Sequence, residues 1–321
     1  MEPEKIHSPT IEWPDYAPVP NLFIAGFPRS GTTALGRFLS EHPDVFMPER
    51  RGMHYFGSDL VFPDLPERFD INLYAERFRQ ANREKVICET SVWYVYSKRA
   101  PREFLKANPR AKVIIMIRDP VETLYSLHAR LCLMGNETVF DFKKALEMES
   151  DRKAGMNNPH PPPLGSPLFY KDAVKYADYL KPYFEAMGAE KVHVIIYDDF
   201  VNDIAAEYGK TLEFLGLDTG FVPSFQVVNP HRAARSGRLF KLTKNPPDWI
   251  TTISRNPHLA PVFEKLKIKK VITRLNTTKS KRPPLKPDLE HELRQEFRPE
   301  VEKLGELLGR DLSHWSESKG K

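Results

Sequence analysis

The sequence predicts an α/β fold in which a central parallel sheet is flanked by helices. Short apolar runs recur along the chain, and each is followed by a turn and then by a segment with helical spacing. The run from Val113 to Ile117 is the clearest, because five consecutive apolar residues are too few for a helix and too many for a strand with one exposed face. A strand buried on both faces is typical of a parallel sheet covered by helices.

Length and composition limit the number of domains and the kinds of partner that the chain can have. The chain has 321 residues, of which 40% are hydrophobic and 28% charged, a normal balance for a globular domain. We expect a polar arm over residues 1–20, a single domain over 21–315 and a polar tail over 316–321. The net charge of +5 suits an anionic ligand, but it is spread along the chain and does not favour nucleic acid as a partner. No pattern predicts an oligomeric state.

The cysteines and the apolar runs argue against a cysteine metal site, a membrane-spanning helix and a secretion signal. Cys88 and Cys132 lie in apolar segments without metal-ligand spacing, so we interpret them as buried thiols. No apolar run approaches the 18 to 20 residues of a membrane span, and the N-terminus lacks the basic-then-apolar pattern of a signal. We therefore expect a cytoplasmic protein, unless a membrane anchor has been removed.

An anion-binding loop is predicted by the stretch LFIAGFPRSGTT, which ends at Thr33. Gly26 and Gly31 are spaced as in the nucleotide-binding loop GxxxxGK[ST], and Thr33 takes its last position. Thr32 stands where that pattern has its lysine, and the nearest cation is Arg29. A strand, a tight loop and a helix N-terminus place backbone N–H groups around an anion. The sequence thus predicts a P-loop-like three-layer sandwich, and the missing lysine argues against a Mg-ATP or Mg-GTP enzyme.

The segment Pro28–Thr33, PRSGTT, resembles the 5′-phosphosulfate loop of the sulfotransferases that use 3′-phosphoadenosine 5′-phosphosulfate (PAPS). The resemblance implies that this loop binds the donor and that Arg29 contacts the oxygen bridging sulfur and phosphorus, where negative charge grows during transfer. It also implies that no metal is required. The donor-binding residues implied in this loop are Arg29, Ser30, Gly31, Thr32 and Thr33.

A second signature follows the strand that begins at Lys112. The stretch IRDPVETLYSLH resembles the family's RDPx[ED]RxxS motif, which binds the 3′-phosphate. By that match Arg118 is the charged clamp and Ser126, on the following helix, is a hydroxyl donor. The alternative for Arg118 is an ion pair with Asp119 or Glu122. Two phosphate sites on adjacent strands favour PAPS over ATP.

The general base is less clearly predicted. The segment PERRGMHYF resembles the PxxKEPHFF stretch of heparan-type and bacterial sulfotransferases, with Arg51, His54 and two aromatic residues matching. Gly52, however, replaces a glutamate that is thought to be the family's base. His54 has an ordinary pKa suited to accepting a proton near pH 7, and Glu49 is another candidate.

Glu89 is the third candidate for the proton acceptor. It follows a predicted buried strand over 85–88, and polar residues at the end of a parallel strand face the site in open α/β sheets. It also matches the acid of the family's GEx[ST]PxY or EK[ST] stretch, which lies near the acceptor. The alternative is a structural neighbour of a helix N-cap. The predicted catalytic residues are therefore Arg29, His54 and Glu89.

The last third of the chain is less regular. The stretch TTKSKRPP resembles the family's late SKGR-like loop, which implies that Lys281 and Arg282 bind the donor; the alternative is a solvated basic surface. We also predict helices over 72–83 and 170–187, and a C-terminal helix that is split at Pro299.

These patterns together predict a PAPS-dependent sulfotransferase. It would transfer a sulfuryl group to a hydroxyl of a carbohydrate, lipid or other small molecule; an amine acceptor is the less favoured alternative. Two alternatives remain at this point: a P-loop nucleotide or metabolite kinase, and a non-catalytic module that binds 3′-phosphoadenosine 5′-phosphate (PAP). The sequence does not name the acceptor, because acceptor pockets are built from loops.

Overall fold

The central sheet has five strands. A computed structural model describes residues 12–62, 66–134, 136–156, 169–225, 233–234, 277–278 and 283–318. The strand order is β2-β3-β1-β4-β5, and all neighbouring pairs are parallel. The strands are β1 (Leu22–Gly26), β2 (Val45–Phe46), β3 (Val86–Thr90), β4 (Lys112–Ile117) and β5 (Val192–Ile196). This confirms the predicted parallel sheet; the two-residue β2 was not predicted.

Helices cover both faces of this sheet. Leu22 and Ile24 of β1 pack into one apolar cluster, whereas Phe23 and Ala25 pack into the other. Because neighbouring residues of a strand point to opposite faces, both faces are buried, as in a P-loop-like sandwich. The helices are α1 (Thr32–Leu39), α2 (Ile71–Ala75), α3 (Ala100–Ala107), α4 (Pro120–Met134), α5 (Phe142–Glu147), α6 (Glu149–Lys153), α7 (Tyr176–Met187), α8 (Tyr197–Asn202), α9 (Ile204–Leu215) and α10 (Pro287–Leu308). Two short antiparallel strands, β6 (Ala233–Ala234) and β7 (Thr277–Thr278), pair with each other.

The position of β1 decides where the candidate site lies. β1 pairs with β3 on one side and with β4 on the other, and Gly26 is in register with Met116. Since all three strands run the same way, their carboxyl ends meet at one edge. The segments that follow them are the ones in which the sequence predicts functional residues.

A buried ion pair fixes the corner between β4 and α4. Asp119 Oδ1 accepts the N–H of Val121 at 2.9 Å, which caps the helix. Its Oδ2 accepts a hydrogen bond from Arg294 Nη1 of α10 at 3.0 Å, and both side chains are almost fully buried. Arg294 also donates to the carbonyl oxygen of Trp315. The C-terminal helix thereby holds the corner that carries Arg118.

Two predicted helices differ from the structure. The helix predicted over 72–83 is only α2 followed by one 3-10 turn, Glu76–Phe78. Tyr74, Ala75 and Phe78 are its buried residues, which is too narrow an apolar face to sustain three turns. The helix predicted from residue 170 begins at Tyr176, after a separate 3-10 turn.

The predicted split at Pro299 is wrong. α10 continues through this proline, because buried residues continue on the same face before and after it, at Phe297, Val301 and Leu304. A proline removes one backbone hydrogen bond and kinks a helix, but burial of that face outweighs the loss here.

Candidate functional site

The loop between β1 and α1 requires a close approach of two backbones. A Cβ atom at Gly26 would lie 2.9 Å from the carbonyl oxygen of Met116 and 2.9 Å from Cγ2 of Thr32. Arg29 and Gly31 have φ values of 74° and 95°, in the left-handed region. Arg29 is one of two residues other than glycine with a positive φ in the described ranges. Such a residue costs about 1 kcal/mol or more, so the surrounding structure holds the loop in this shape.

The loop presents unpaired donors at the N-terminus of α1. The backbone N–H groups of Arg29, Gly31, Thr32 and Thr33 have no acceptor within the described residues. Ser30 is fully buried, and its hydroxyl has no hydrogen-bond partner in the described part of the chain. A buried polar atom without a partner is unfavourable unless a ligand or water supplies one. The donor set therefore fits an anion such as a phosphate.

Arg29 joins this loop to the second signature. Its Nε donates to the hydroxyl oxygen of Ser126 on α4 at 3.1 Å. Partial burial, followed by the positive charges of Arg130 and Arg118, lowers the pKa of Arg29. The guanidinium stays protonated at neutral pH because its ordinary pKa is above 12. The positive charges of Arg118 and Arg130 therefore act on Arg29 at the ends of β1 and β4.

Arg118 lies at the end of β4, as predicted. Its Nη2 is 3.3 Å from Oε2 of Glu122, so the ion pair left open by the sequence does form. Its guanidinium also stacks over the ring of Tyr197, 4.7 Å from the ring centre. A guanidinium has five N–H donors, so the pair with Glu122 leaves capacity for a phosphate.

Three further residues lie at this site: Tyr197 and Arg130 were not predicted from the sequence, and Arg51 was noted there only as a matching residue without a role. Tyr197 opens α8, and its ring carbons lie 3.1 and 3.2 Å from the place of a Cβ at Gly31. Arg130 is exposed one helical turn beyond Ser126, so the i, i+4 spacing was an available signal. Arg51 Nη1 donates to the carbonyl oxygen of Thr33 at 3.3 Å.

The segment that carries His54 is attached to the end of β3 at alternate residues. Three of its backbone N–H groups donate to three successive groups of the 90–94 stretch. These are Gly52 N–H to Thr90 O (2.8 Å), His54 N–H to Ser91 Oγ (3.0 Å) and Phe56 N–H to Tyr94 Oη (3.2 Å). The backbone of this segment is therefore fixed by polar groups of β3 and of the 3-10 turn Val92–Tyr96 that follows it.

The imidazole of His54 lies beside the position that lacks a side chain. Its Nε2 is 3.4 Å from the place of a Cβ at Gly52, and its ring stacks on Phe62 at 4.5 Å between centroids. Burial, and next the charge of Arg68, lower the pKa of His54 to about 3. The ring is therefore neutral at neutral pH, and it is a weaker base than the ordinary histidine pKa, on which the sequence prediction rested, would make it. Its buried Nδ1 has no partner within the described ranges.

Glu89 is connected to the backbone of His54 through Ser91 and is fully buried. Its Oε1 accepts the hydroxyl hydrogen of Ser91 in a short hydrogen bond. Burial raises the pKa of Glu89 to about 7, and the hydroxyl groups of Ser91, Tyr94 and Tyr74 oppose this rise. The carboxyl group has a pKa suited to acid–base work near neutral pH, but it does not reach solvent.

The remaining predicted residues are placed as follows. Glu49 is exposed. Lys281 and Arg282 lie outside the described residues. In the part of the chain that is described, no cluster of His, Cys, Asp or Glu side chains could hold a metal ion. Across the same ranges, no helix has both the length and the apolar character that crossing a membrane demands.

Comparisons with known proteins identify the family and the fold. The family model of the sulfotransferase domain matches residues 19–230. The crystal structure of a sulfotransferase from Alicyclobacillus acidocaldarius aligns with a TM-score of 0.65 and 26% identity, over 93% of this chain and 99% of that one.

Curated relatives match smaller parts of the chain. Human heparan sulfate glucosamine 3-O-sulfotransferase 6 is 24% identical over 212 residues, which is 65% of this chain and 56% of that protein. The membrane-associated sulfotransferase kil1 of Dictyostelium discoideum is 32% identical over 108 residues, 32% of this chain and 21% of that protein. The chain thus spans about half or less of the length of these relatives. On the extent of the domain match, the chain belongs to the sulfotransferase family of enzymes.

Proposed function

We propose that the protein transfers a sulfuryl group from PAPS to an acceptor hydroxyl; an amine acceptor is the less favoured alternative. The observation that carries this proposal is the 3.1 Å contact from Arg29 Nε to Ser126 Oγ. It brings the cation of the first anion-binding loop next to the hydroxyl of the second anion site. A donor with a 5′-phosphosulfate and a 3′-phosphate requires two such sites close together.

Each phosphate has a set of residues that fits it. The unpaired N–H groups of residues 29 and 31–33, together with the Ser30 hydroxyl, suit the 5′-phosphosulfate. Arg118 and Ser126 suit the 3′-phosphate. When bound, PAPS supplies an activated sulfuryl group on a phosphate leaving group. Arg29 stabilises the negative charge that develops on the oxygen released from sulfur, without a metal ion.

His54 accepts the acceptor's proton in this proposal. The bond between sulfur and the bridging oxygen breaks, a bond between sulfur and the acceptor oxygen forms, and the hydroxyl proton passes to Nε2 of His54. This nitrogen faces the place where Gly52 leaves no side chain. A neutral ring with a pKa of about 3 is a weak base before substrate binds. We therefore expect the proton to move late in the reaction, after the bond from sulfur to the leaving oxygen has begun to break and negative charge has moved onto the leaving phosphate.

The acceptor class is a hydroxyl of a carbohydrate, lipid or other small molecule. The names of the relatives above include a glucosamine 3-O-sulfotransferase, which supports a hydroxyl over an amine.

Calorimetric titration tests the donor. We expect PAP to bind wild-type protein without magnesium and Arg118→Ala to weaken it by about 10- to 100-fold, the loss of one charge-assisted contact. Arg79→Ala is the matched control, because Arg79 is exposed and pairs with Glu76 away from the site. Tighter binding of Mg-ATP than of PAP, with no effect of Arg118→Ala, would overturn the assignment. Turnover is then measured with sulfur-labelled PAPS and a panel of alcohols, phenols, sugars and amines.

A further inference from the structure

Glu89 is a buried acid that the proposed reaction does not use directly. Its carboxyl group is fully buried, so it cannot contact an acceptor. Its Oε1 accepts a hydrogen bond from Ser91, and the hydroxyl groups of Tyr74 and Tyr94 also face the carboxyl group. Burying an ionisable acid away from water costs folding free energy, so stability alone does not account for a glutamate at this position.

Ser91 connects this acid to the backbone of His54. A serine hydroxyl has one hydrogen to donate and two lone pairs to accept with. Here the hydrogen goes to Glu89 Oε1, and a lone pair accepts the N–H of His54 at 3.0 Å. An ionised carboxylate can only accept, so it fixes the Ser91 hydroxyl in this orientation. A protonated carboxyl group can itself donate, which removes that constraint.

The backbone of His54 needs such support. Its φ of 51° is in the left-handed region, which is unfavourable for a residue with a side chain. The same acid also faces Tyr94, whose hydroxyl oxygen accepts the N–H of Phe56 at 3.2 Å. Of the three backbone N–H groups that attach this segment, those of His54 and Phe56 thus donate to the hydroxyl groups of Ser91 and Tyr94, and both of these hydroxyl groups contact or face Glu89.

We propose that ionised Glu89 is a positioning residue that holds His54 in its left-handed conformation through the Ser91 hydroxyl. The link is positional and not a proton relay, because Ser91 contacts the backbone N–H of His54 and not its ring. The consequence for turnover rests on the proposed function, whereas the effect on the backbone does not.

Protonation of Glu89 would loosen this attachment. The ionisable groups near Glu89 are Tyr74 on α2 and Tyr94 on the 3-10 turn, which face it, and Cys88, its neighbour on β3, which points to the other face of the sheet. All three stay neutral near pH 7 because burial raises their pKa values. Arg68 and Tyr94 face His54, whose own ring titrates near pH 3. Glu89, with a pKa of about 7, is therefore the group in this cluster that titrates near neutrality.

The first experiment follows the backbone directly and needs no substrate. In protein labelled with ¹⁵N at its ten histidines, the amide peak of His54 is identified by its loss in His54→Gln. We expect this peak to shift with a midpoint near pH 7 in the wild type. The shift should disappear in Glu89→Gln and in Ser91→Ala.

Ser97 provides a matched control. Ser97 flanks the other end of the 3-10 turn Val92–Tyr96, is also buried, and also donates to an acid, Asp59, while accepting backbone N–H groups. Ser97→Ala should therefore match Ser91→Ala in lost stability but keep the pH-dependent shift of His54. A wild-type peak that does not move near pH 7, or one that moves equally in Glu89→Gln, would overturn the inference.

Kinetics separate the positioning role from a donor-binding one. We expect Ser91→Ala to lower kcat by about 10- to 100-fold, the effect of a misplaced catalytic group, with PAP affinity within about twofold of wild type. Ser91→Thr, which keeps the hydroxyl, should restore kcat. Unchanged kcat in Ser91→Ala, or equal losses in Ser91→Ala and Ser97→Ala, would refute the role. If the wild type transfers no sulfuryl group at all, the proposed function fails, and the amide titration alone decides the inference.

Discussion

Arg29 Nε lies 3.1 Å from Ser126 Oγ, although 97 residues separate them in the chain. The contact forms because β1 and β4 are neighbours in the sheet, so the loop after one strand meets the helix after the other. A single hydrogen bond thereby fixes the direction of the guanidinium in a loop that is already held in a left-handed conformation.

Replacing Arg29 by lysine tests whether this direction matters. Lysine keeps the positive charge but lacks the rigid, planar arrangement of N–H donors that arginine directs at Ser126 and at a second oxygen. We expect Arg29→Lys to lower kcat by about 10- to 100-fold with a smaller change in the Kd of PAP. Single-turnover kinetics and calorimetry give the two numbers. Full activity in Arg29→Lys would mean that charge alone is sufficient.

Gly26→Ala tests the close approach of the loop to β4. The added Cβ would meet the Met116 carbonyl oxygen and Thr32 Cγ2 at 2.9 Å, so we expect a loss of about 1–3 kcal/mol in the free energy of unfolding. Gly209→Ala is the control, because this helical glycine has open space around its Cβ position. It should be neutral or stabilising by up to about 1 kcal/mol. Urea denaturation measures both, and equal effects would contradict the steric argument.

Gly52→Glu restores the family's acid next to His54. A carboxylate beside the imidazole favours its charged form, so we expect the pKa of His54 to rise from about 3. The positive φ of Gly52, 72°, makes any side chain there unfavourable. Gly52→Gln carries the same strain without the charge. Histidine NMR titration should show the rise in the glutamate variant, and an equal rise in both would exclude the electrostatic cause.

The stability of the protein should depend on pH through Glu89. Its pKa is raised from 4.5 to about 7 in the folded state, so between these values the folded state binds a proton that the unfolded state has lost. The contribution of Glu89 to the free energy of unfolding, about 3 kcal/mol, is therefore fully present below pH 4.5 and is lost as the pH rises to 7.

His54 acts in the opposite direction between pH 3 and 6.5, because its folded pKa is lowered. The difference between wild-type and Glu89→Gln unfolding curves isolates the carboxyl group. A flat difference between pH 4.5 and 7 would show that Glu89 has an ordinary pKa.

Arg130 should contribute only long-range charge. It is exposed and one turn beyond Ser126, so its field at the phosphate site is screened by salt. We expect Arg130→Ala to weaken PAP binding by about 2- to 5-fold at low ionic strength and hardly at all at 0.5 M salt, whereas the loss in Arg118→Ala persists. Calorimetry at both ionic strengths checks this. A loss that is insensitive to salt would indicate direct contact.

The sequence by itself determined the parallel sheet, the anion loop and the second signature. Each of these depends on residues close together in the chain: an apolar run, the spacing of two glycines, and an arginine followed by a serine on the next helix. Local backbone preferences and burial fix such elements, so their patterns are visible without the fold. Pro299 shows the limit of this reasoning, since packing of the whole C-terminal helix outweighed a local preference.

The tertiary structure alone decided which groups act together. Only strand order brings Arg29 to Ser126 and places Tyr197 beneath Arg118. Likewise, the burial that sets the pKa of Glu89 near 7 and that of His54 near 3 arises from residues distant in sequence. Desolvation and hydrogen-bond geometry depend on every neighbour in space, and a linear pattern does not contain that information.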